Sequence, residues 1–159
     1  MLEESIWYQL ETARHITLRW IAKMTEEVCD VQPEGFPNNF RWHLGHIATI
    51  QAQLAHYYIG LPLMLPDGYP ERFANGTRPS EWMTPGPALP ELAEVLAGQI
   101  PSLRAALPDG LAVPAVKTFE RVGRRMETAA DILLFSAYHE GLHIGMINGI
   151  KYGMGGGKR

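Results

Sequence analysis

Residues 129–152 read AADILLFSAYHEGLHIGMINGIKY, and this stretch predicts one long helix. Thr128-Ala-Ala-Asp131 before it resembles a capping box, and Gly153 suits its C-terminal end. His139 and His143 are four residues apart, so their side chains differ by one turn and about 40° on the helix. We therefore expect both rings to point into the core. Their face is the apolar one, with Ile132, Phe135, Ser136, Met146 and Ile150.

Burying two imidazoles among apolar side chains costs free energy unless their nitrogens find partners. One divalent metal ion can bind a nitrogen of each ring, so this pair on an inward face indicates a metal site. The alternative is that each ring is hydrogen-bonded to a core carbonyl or hydroxyl. His139-Glu140-Gly-Leu-His143 also matches the zinc-protease signature, in which Glu is the general base. We disfavour a protease because no third His follows and no peptide-binding sheet is evident.

Three further segments show helical periodicity. The first runs over about residues 4–28, the second over about 40–59 after an Asn-Asn N-cap, and the third over about 90–107. Gly60 suits the end of the second helix, and Pro101 is expected to kink or break the third. Residues 108–127 form a connection that holds a short extended piece around 115–119, and no segment alternates long enough to predict a strand with confidence.

The Pro- and Gly-rich stretch 61–87 is long for a connection in a compact domain. Such a link lets the second and third helices run parallel. The sequence therefore predicts an all-α four-helix bundle in up-down-down-up order, with a long crossover between helices two and three. We expect one domain over residues 1–153 and a flexible tail over 154–159.

Composition narrows the function classes. The chain has 159 residues, 46% of them hydrophobic, and a formal net charge of −3, which argues against a nucleic-acid partner. The tightest basic cluster, Arg121, Arg124 and Arg125, is interpreted as a solvated turn. No apolar run reaches the roughly 18 residues of a membrane span. The one cysteine, Cys29, excludes an internal disulfide, so we expect a cytoplasmic protein with Cys29 as a buried or half-buried apolar residue.

The second helix offers two candidate ligands in Trp42-His43-Leu44-Gly45-His46. Periodicity does not choose between them, although His43 falls nearer the middle of the apolar stripe and His46 on its flank. Gly45 would let another helix or a ligand approach closely. His15 and His56 are expected at the surface or outside the ligand set.

Two motifs together resemble those of the DinB/YfiT-like superfamily. Residues 38–47, NNFRWHLGHI, resemble its helix-two motif, which ends in LGH and an apolar residue. Thr128 followed by HEGLHIGMI, residues 139–147, resembles its helix-four motif. The resemblance covers nearly the whole chain and implies a crossover four-helix bundle, often a homodimer. It also implies a metal bound by His46, His139 and His143, with His43 outside the ligand set. Met146 departs from the Gln that many relatives carry there.

The resemblance also bears on function. Three neutral His ligands leave a coordination position open, as catalytic sites do, and imidazole suits zinc or nickel. The resemblance implies transfer of a low-molecular-weight thiol, such as bacillithiol or mycothiol, to a small electrophile, or else metal-dependent hydrolysis. The competing class is a non-catalytic, dimeric metal-binding bundle. Glu140 is interpreted either as a surface residue or as one that orients a ligand. Further residues could line the pocket: Trp42, Gln53, Tyr57, Ser136 and Tyr138.

Overall fold

The computed structural model describes residues 2–155 and is mostly helical. The elements follow the order α1 (Leu2–Ile21), α2 (Glu26–Cys29), α3 (Phe40–Leu54), α4 (Tyr69–Phe73), α5 (Leu89–Ala106), β1 (Pro114–Arg121), β2 (Arg124–Thr128) and α6 (Ala129–Gly153). A π-helical turn, Ala55–Ile59, extends α3, and a short 3-10 helix, Pro79–Glu81, lies between α4 and α5.

The four longest helices form the body of the protein, since α1 and α3 each pack against both α5 and α6. Their apolar residues form two clusters. One contains Leu44, Ile47, Leu92, Leu96, Ile147 and Ile150, and the other contains Leu10, Leu54, Leu103, Ile132 and Leu133. Buried polar residues lie between the two clusters on every long helix: Arg14 and Thr17 on α1, Gln51 on α3, Gln99 on α5, and Ser136 and Glu140 on α6.

The predicted ends of helices two, three and four are confirmed to within a few residues. Asn39 caps α3 by accepting a hydrogen bond from the Trp42 backbone amide, and Gly60 ends the π-helical turn with a positive φ of 88°. Thr128 and Asp131 form the predicted capping box of α6. These ends were predictable because caps are local: the residues that make them are neighbours in sequence.

The predicted first helix is wrong at its C-terminal end. The α1 helix stops at Ile21, and Thr25 caps a separate short helix, α2, by accepting a hydrogen bond from the Val28 amide. Val28, the last residue of the predicted helix, is 37% exposed, whereas Cys29 is fully buried as expected. Residues 22–25 separate the two helices, so the helical periodicity of α1 does not continue into α2.

The third helix and the connection after it also differ from expectation. Pro101 lies inside α5 without breaking it. The extended piece expected around residues 115–119 is the strand β1, which pairs with β2 in an antiparallel hairpin that the sequence did not predict with confidence. Its two-residue turn, Val122-Gly123, has positive φ at both positions, as hairpin turns of this length require.

Two residues of the predicted C-terminal tail, Met154 and Gly155, lie within the described part of the chain. Met154 and Gly155 form a turn after α6, and the rest of the predicted flexible tail, 156–159, lies outside the described residues. No helix within residues 2–155 is long and apolar enough to cross a membrane.

Candidate metal site

The long helices α3 and α6 bring three histidines together. His46 of α3 lies against His139 and His143 of α6, and one nitrogen from each ring falls within 4.8 Å of the others. The structure thus assembles the three residues that the resemblance selected. His46 is buried, while His139 and His143 are half-buried, so the cluster has a closed side at α3 and a more open side at α6.

The two α6 histidines face each other. Their Nε2 atoms are 3.1 Å apart, and their ring centroids are 4.5 Å apart. A tetrahedral zinc ion with bonds of about 2.0–2.1 Å holds two nitrogen ligands roughly 3.3 Å apart. The His139–His143 spacing is therefore close to that of two ligands on one ion.

His46 is oriented by the crossover link. Its Nδ1–H donates a hydrogen bond to the carbonyl oxygen of Phe73 in α4, which leaves Nε2 with the free lone pair. The Phe73 ring lies directly over Gly45, where a Cβ atom would come within 2.5 Å of it. The glycine noted in the sequence thus allows α4, and not another long helix, to approach α3.

His43 lies behind the cluster. Its Nδ1 is 2.8 Å from Nδ1 of His143, and its Nε2 is buried without a hydrogen-bond partner among the described residues. For His143 to offer the Nε2 lone pair to a metal, its Nδ1 must carry the proton. This Nδ1–H then donates a hydrogen bond to Nδ1 of His43. This arrangement makes His43 a residue that orients His143, which agrees with its place outside the ligand set.

The surroundings keep these histidines neutral. Burial lowers the pKa of His43 and of His139 to about 4, with His46 contributing to both and the charge of Arg121 also acting on His139. Burial, and then the neighbouring histidines, lower the pKa of His143 to about 2. Burial also lowers the pKa of His46, against its bond to Phe73. Neutral imidazoles keep the lone pairs that a metal needs, so the donor set fits a divalent ion such as zinc.

Glu140 belongs to a different site, although it is adjacent to His139. It is 1% exposed, and both of its carboxylate oxygens accept hydrogen bonds from Arg14, at 3.0 and 3.1 Å. Thr17 donates a third, at 2.7 Å. The prediction that Glu140 is either a surface residue or one that orients a metal ligand is therefore wrong, because its carboxylate is buried and bonded to Arg14 and Thr17. The ion pair also occupies the carboxylate that a zinc protease would use as its base.

The burial pattern of α6 explains why the predicted position of Glu140 was wrong. The buried stripe runs through Ile132, Leu133, Ser136, Glu140, Ile147 and Ile150, while Met146, which was predicted to face inward, is 39% exposed. The stripe centre thus passes through Glu140, with His139 and His143 on its flank. The apolar residues of α6 surround most of the helix, so periodicity alone placed the centre too close to the histidines.

Arg14 is a buried charged residue that the sequence analysis did not single out. Besides Glu140, Arg14 donates to the side chains of Gln51 and Gln99 and to the Leu96 carbonyl. The signal was present: Arg14 lies on the same stripe of α1 as Leu10 and Thr17, where a charge requires a buried partner.

Only some of the expected pocket residues lie near the histidines. The Trp42 ring stacks on His46, with centroids 4.4 Å apart. Ser136 instead accepts a hydrogen bond from Gln51 in the buried polar layer. Tyr57 and Tyr138 are more than half exposed. Gln53 is half-buried, and no contact joins it to the three histidines within residues 2–155.

Three further residues with reactive side chains, Cys29, His15 and His56, lie outside the three-histidine cluster. Burial raises the pKa of Cys29 to about 12, so its thiol stays protonated in the folded chain. His15 is exposed, and His56 bonds the Leu61 carbonyl at the end of the π-helical turn.

A mostly helical chain with a three-histidine cluster between two long helices defines a class of helical proteins that can hold a metal ion. The sequence model of the DinB superfamily matches residues 9–147, and the chain belongs to that superfamily. The match includes all three histidines. No curated protein matches the chain.

Proposed function

We propose that this protein is a metal-dependent enzyme in which His46, His139 and His143 hold a divalent ion, zinc or nickel. The observation that carries the proposal is the grouping of three neutral imidazoles with an open side at α6. Three ligands leave a coordination position for a substrate atom. An ion held there would lower the pKa of a thiol or a water molecule that occupies that position.

Within this class, we favour thiol-dependent transfer over hydrolysis. Hydrolysis by bound water usually needs a carboxylate or histidine that accepts its proton. The carboxylate nearest in sequence, Glu140, is held by Arg14, and His43 is engaged with His143. A thiol requires less assistance, because its ordinary pKa of about 8.5 is already close to neutral pH. The substrates would be a low-molecular-weight thiol and a small electrophile.

Metal analysis tests whether the three histidines bind a divalent ion. Purified protein, dialysed after loading with zinc or nickel, should retain about one ion per chain, and His143→Ala should lose it. His15→Ala is the matched control, because His15 is an exposed histidine outside the cluster. Equal metal content in both variants would contradict a three-histidine site.

Kinetic assays test whether the protein catalyses thiol transfer or hydrolysis. Metal-loaded protein is incubated with monochlorobimane or fosfomycin and with bacillithiol or mycothiol, and a parallel series uses a p-nitrophenyl ester without thiol. We expect a thiol-dependent rate that disappears in His143→Ala. Ester hydrolysis without a thiol-dependent rate would support the hydrolase alternative. Bound metal with neither activity would support a non-catalytic bundle.

The arrangement of the bundle and of its copies also remains a proposal. We propose the up-down-down-up order, which is supported by the long link between α3 and α5 and by the packing of α1 and α3 on the same two helices. A homodimer and a small-molecule substrate are proposed from membership in the superfamily. Light scattering of the metal-loaded protein measures the number of chains.

A further inference from the structure

The β1–β2 hairpin has two chemically different faces. Glu120, Arg125 and Glu127 lie on the outer face, where Arg125 pairs with both carboxylates at 3.2 and 2.9 Å. Phe119 and Met126, which are partners in the strand register, lie on the inner face and pack on the bundle. Side chains alternate along a strand, and opposite residues share a face. Arg121 and its register partner Arg124 therefore belong to the inner face.

The inner face places Arg121 next to the histidines. The Phe119 ring contacts Phe135 of α6, with centroids 4.9 Å apart, and Phe135 is one turn before His139. Two residues along a strand advance about 6.6 Å, and four residues along a helix advance about 6 Å. Pro114 of β1 pairs with Thr128 at the start of α6, and Phe119 lies on Phe135 further along that helix, so β1 runs along α6 in the same direction. The step from Phe119 to Arg121 therefore parallels the step from Phe135 to His139. In agreement, the charge of Arg121 contributes to the lowered pKa of His139.

In the described part of the chain, no acidic side chain pairs with Arg121. Within residues 2–155, neither Arg121 nor Arg124 has a side-chain hydrogen bond or ion pair, and both are exposed. The α6 sequence after Glu140 contains no Asp or Glu up to Gly153, and Glu140 itself is held by Arg14. The solvated-turn interpretation therefore suits Arg125, but it does not account for Arg121, which acts on His139, or for its register partner Arg124.

We propose that Arg121, with Arg124 beside it, binds an anionic oxygen group of the substrate, a carboxylate or a phosphate, while another substrate atom reaches the three-histidine site. The planar guanidinium offers paired donors that match either group. This proposal rests on the proposed function in one respect: it assumes that the substrate approaches a metal held by His46, His139 and His143. It specifies that at least one substrate is an anion.

The test compares two small thiols on protein loaded with Co²⁺, whose visible absorption reports coordination. Dissociation constants are measured for 3-mercaptopropionate, which carries a carboxylate, and for 2-mercaptoethanol, which does not. In Arg121→Gln, the preference for the carboxylate thiol should fall about 10-fold from its wild-type value, as expected for the loss of one charge-assisted hydrogen bond. Arg125→Gln is the matched control, because it removes the same charge from the outer face of the same hairpin.

A second arm separates this proposal from the thiol function. Binding of acetate and of inorganic phosphate to the Co²⁺-loaded protein is measured by calorimetry, and either anion should bind at least about 3-fold more weakly to Arg121→Gln than to Arg125→Gln. The anion that binds more tightly, acetate or phosphate, shows whether Arg121 recognises a carboxylate or a phosphate group. If neither thiol changes the absorption, the proposed thiol function fails and this arm still decides the role of Arg121. Equal affinities in the two variants, in both arms, would overturn the proposal.

Discussion

His139 and Glu140 are neighbours on α6, yet they lie in opposite kinds of environment. Glu140 is 1% exposed and receives three hydrogen bonds, two of them from a buried arginine. His139 is half-buried, and its Nε2 faces Nε2 of His143 at 3.1 Å. One site is saturated by protein groups, and the other has lone pairs still to satisfy.

Buried polar groups that are fully paired differ in role from those with unused hydrogen-bonding or ligand capacity. A fully paired group such as the Arg14–Glu140 ion pair has no capacity left for a ligand, and its removal should affect stability. Imidazole nitrogens that face only another imidazole, such as Nε2 of His139 and of His143, keep that capacity, and their removal should affect ligand binding. The polar layer between the two apolar clusters is thus structural, and the adjacent histidines are the candidate site.

Breaking the ion pair should give the largest effect. Arg14→Met leaves Glu140 buried without its partner, which costs about 3–5 kcal/mol of unfolding free energy. Urea denaturation of the metal-free protein measures it. Arg104→Met is the matched control, because Arg104 pairs with Glu4 and Glu11 at the surface, where such pairs contribute about 1 kcal/mol or less. The double variant Arg14→Met/Glu140→Leu should recover most of the loss, and no recovery would argue against an uncompensated charge.

Within the histidine site, His46 and His43 should separate by metal affinity. His43→Ala removes a residue that orients His143, and outer partners of this kind change metal affinity about 10–100-fold. His46→Ala removes a ligand and should exceed that range. Competition with a chelator of known affinity measures both. A larger loss in His43→Ala would instead make His43 the ligand, which is the choice that periodicity favoured.

Gly45→Ala tests how α4 supports the histidines. The added methyl group would meet the Phe73 ring at 2.5 Å, and overpacking of this kind costs about 1–3 kcal/mol. Because the Phe73 carbonyl holds His46, metal affinity should fall as well. Gly98→Ala is the control, since nothing lies within 4 Å of its added Cβ and helix propensity favours alanine by about 0.5–1 kcal/mol. Unchanged metal affinity in Gly45→Ala would separate α4 from the site.

Acid should weaken the metal-free protein through the histidines. Their folded pKa values are depressed, to about 4 for His43 and His139, whereas an unfolded histidine titrates near 6.5. Between these values the unfolded chain binds more protons, so stability is complete above about pH 6.5 and falls as the pH drops toward 4. Each extra proton contributes about 1.4 kcal/mol per pH unit. Urea denaturation in EDTA at pH 7, 6 and 5 measures the slope, and a flat profile would contradict burial of the neutral rings.

The sequence by itself determined the features whose causes are local or repeated. The caps at Asn39 and Thr128, the helix end at Gly60 and the pairing of His139 with His143 all depend on residues within a turn of one another. The two motifs were enough to predict membership in the superfamily, which the match over residues 9–147 confirms.

Tertiary structure decided the rest, because it depends on which elements meet. Residues 41–49 of α3 are buried on every side, so no periodicity could choose between His43 and His46. The hydrogen bond that orients His46 is made to the carbonyl of Phe73, which is 27 residues further on. The pairing of Arg14 with Glu140 joins residues 126 positions apart, and a charge on a helical stripe does not name its partner. Long-range contacts of this kind follow from packing, and they separate the candidate site from the structural ion pair beside it.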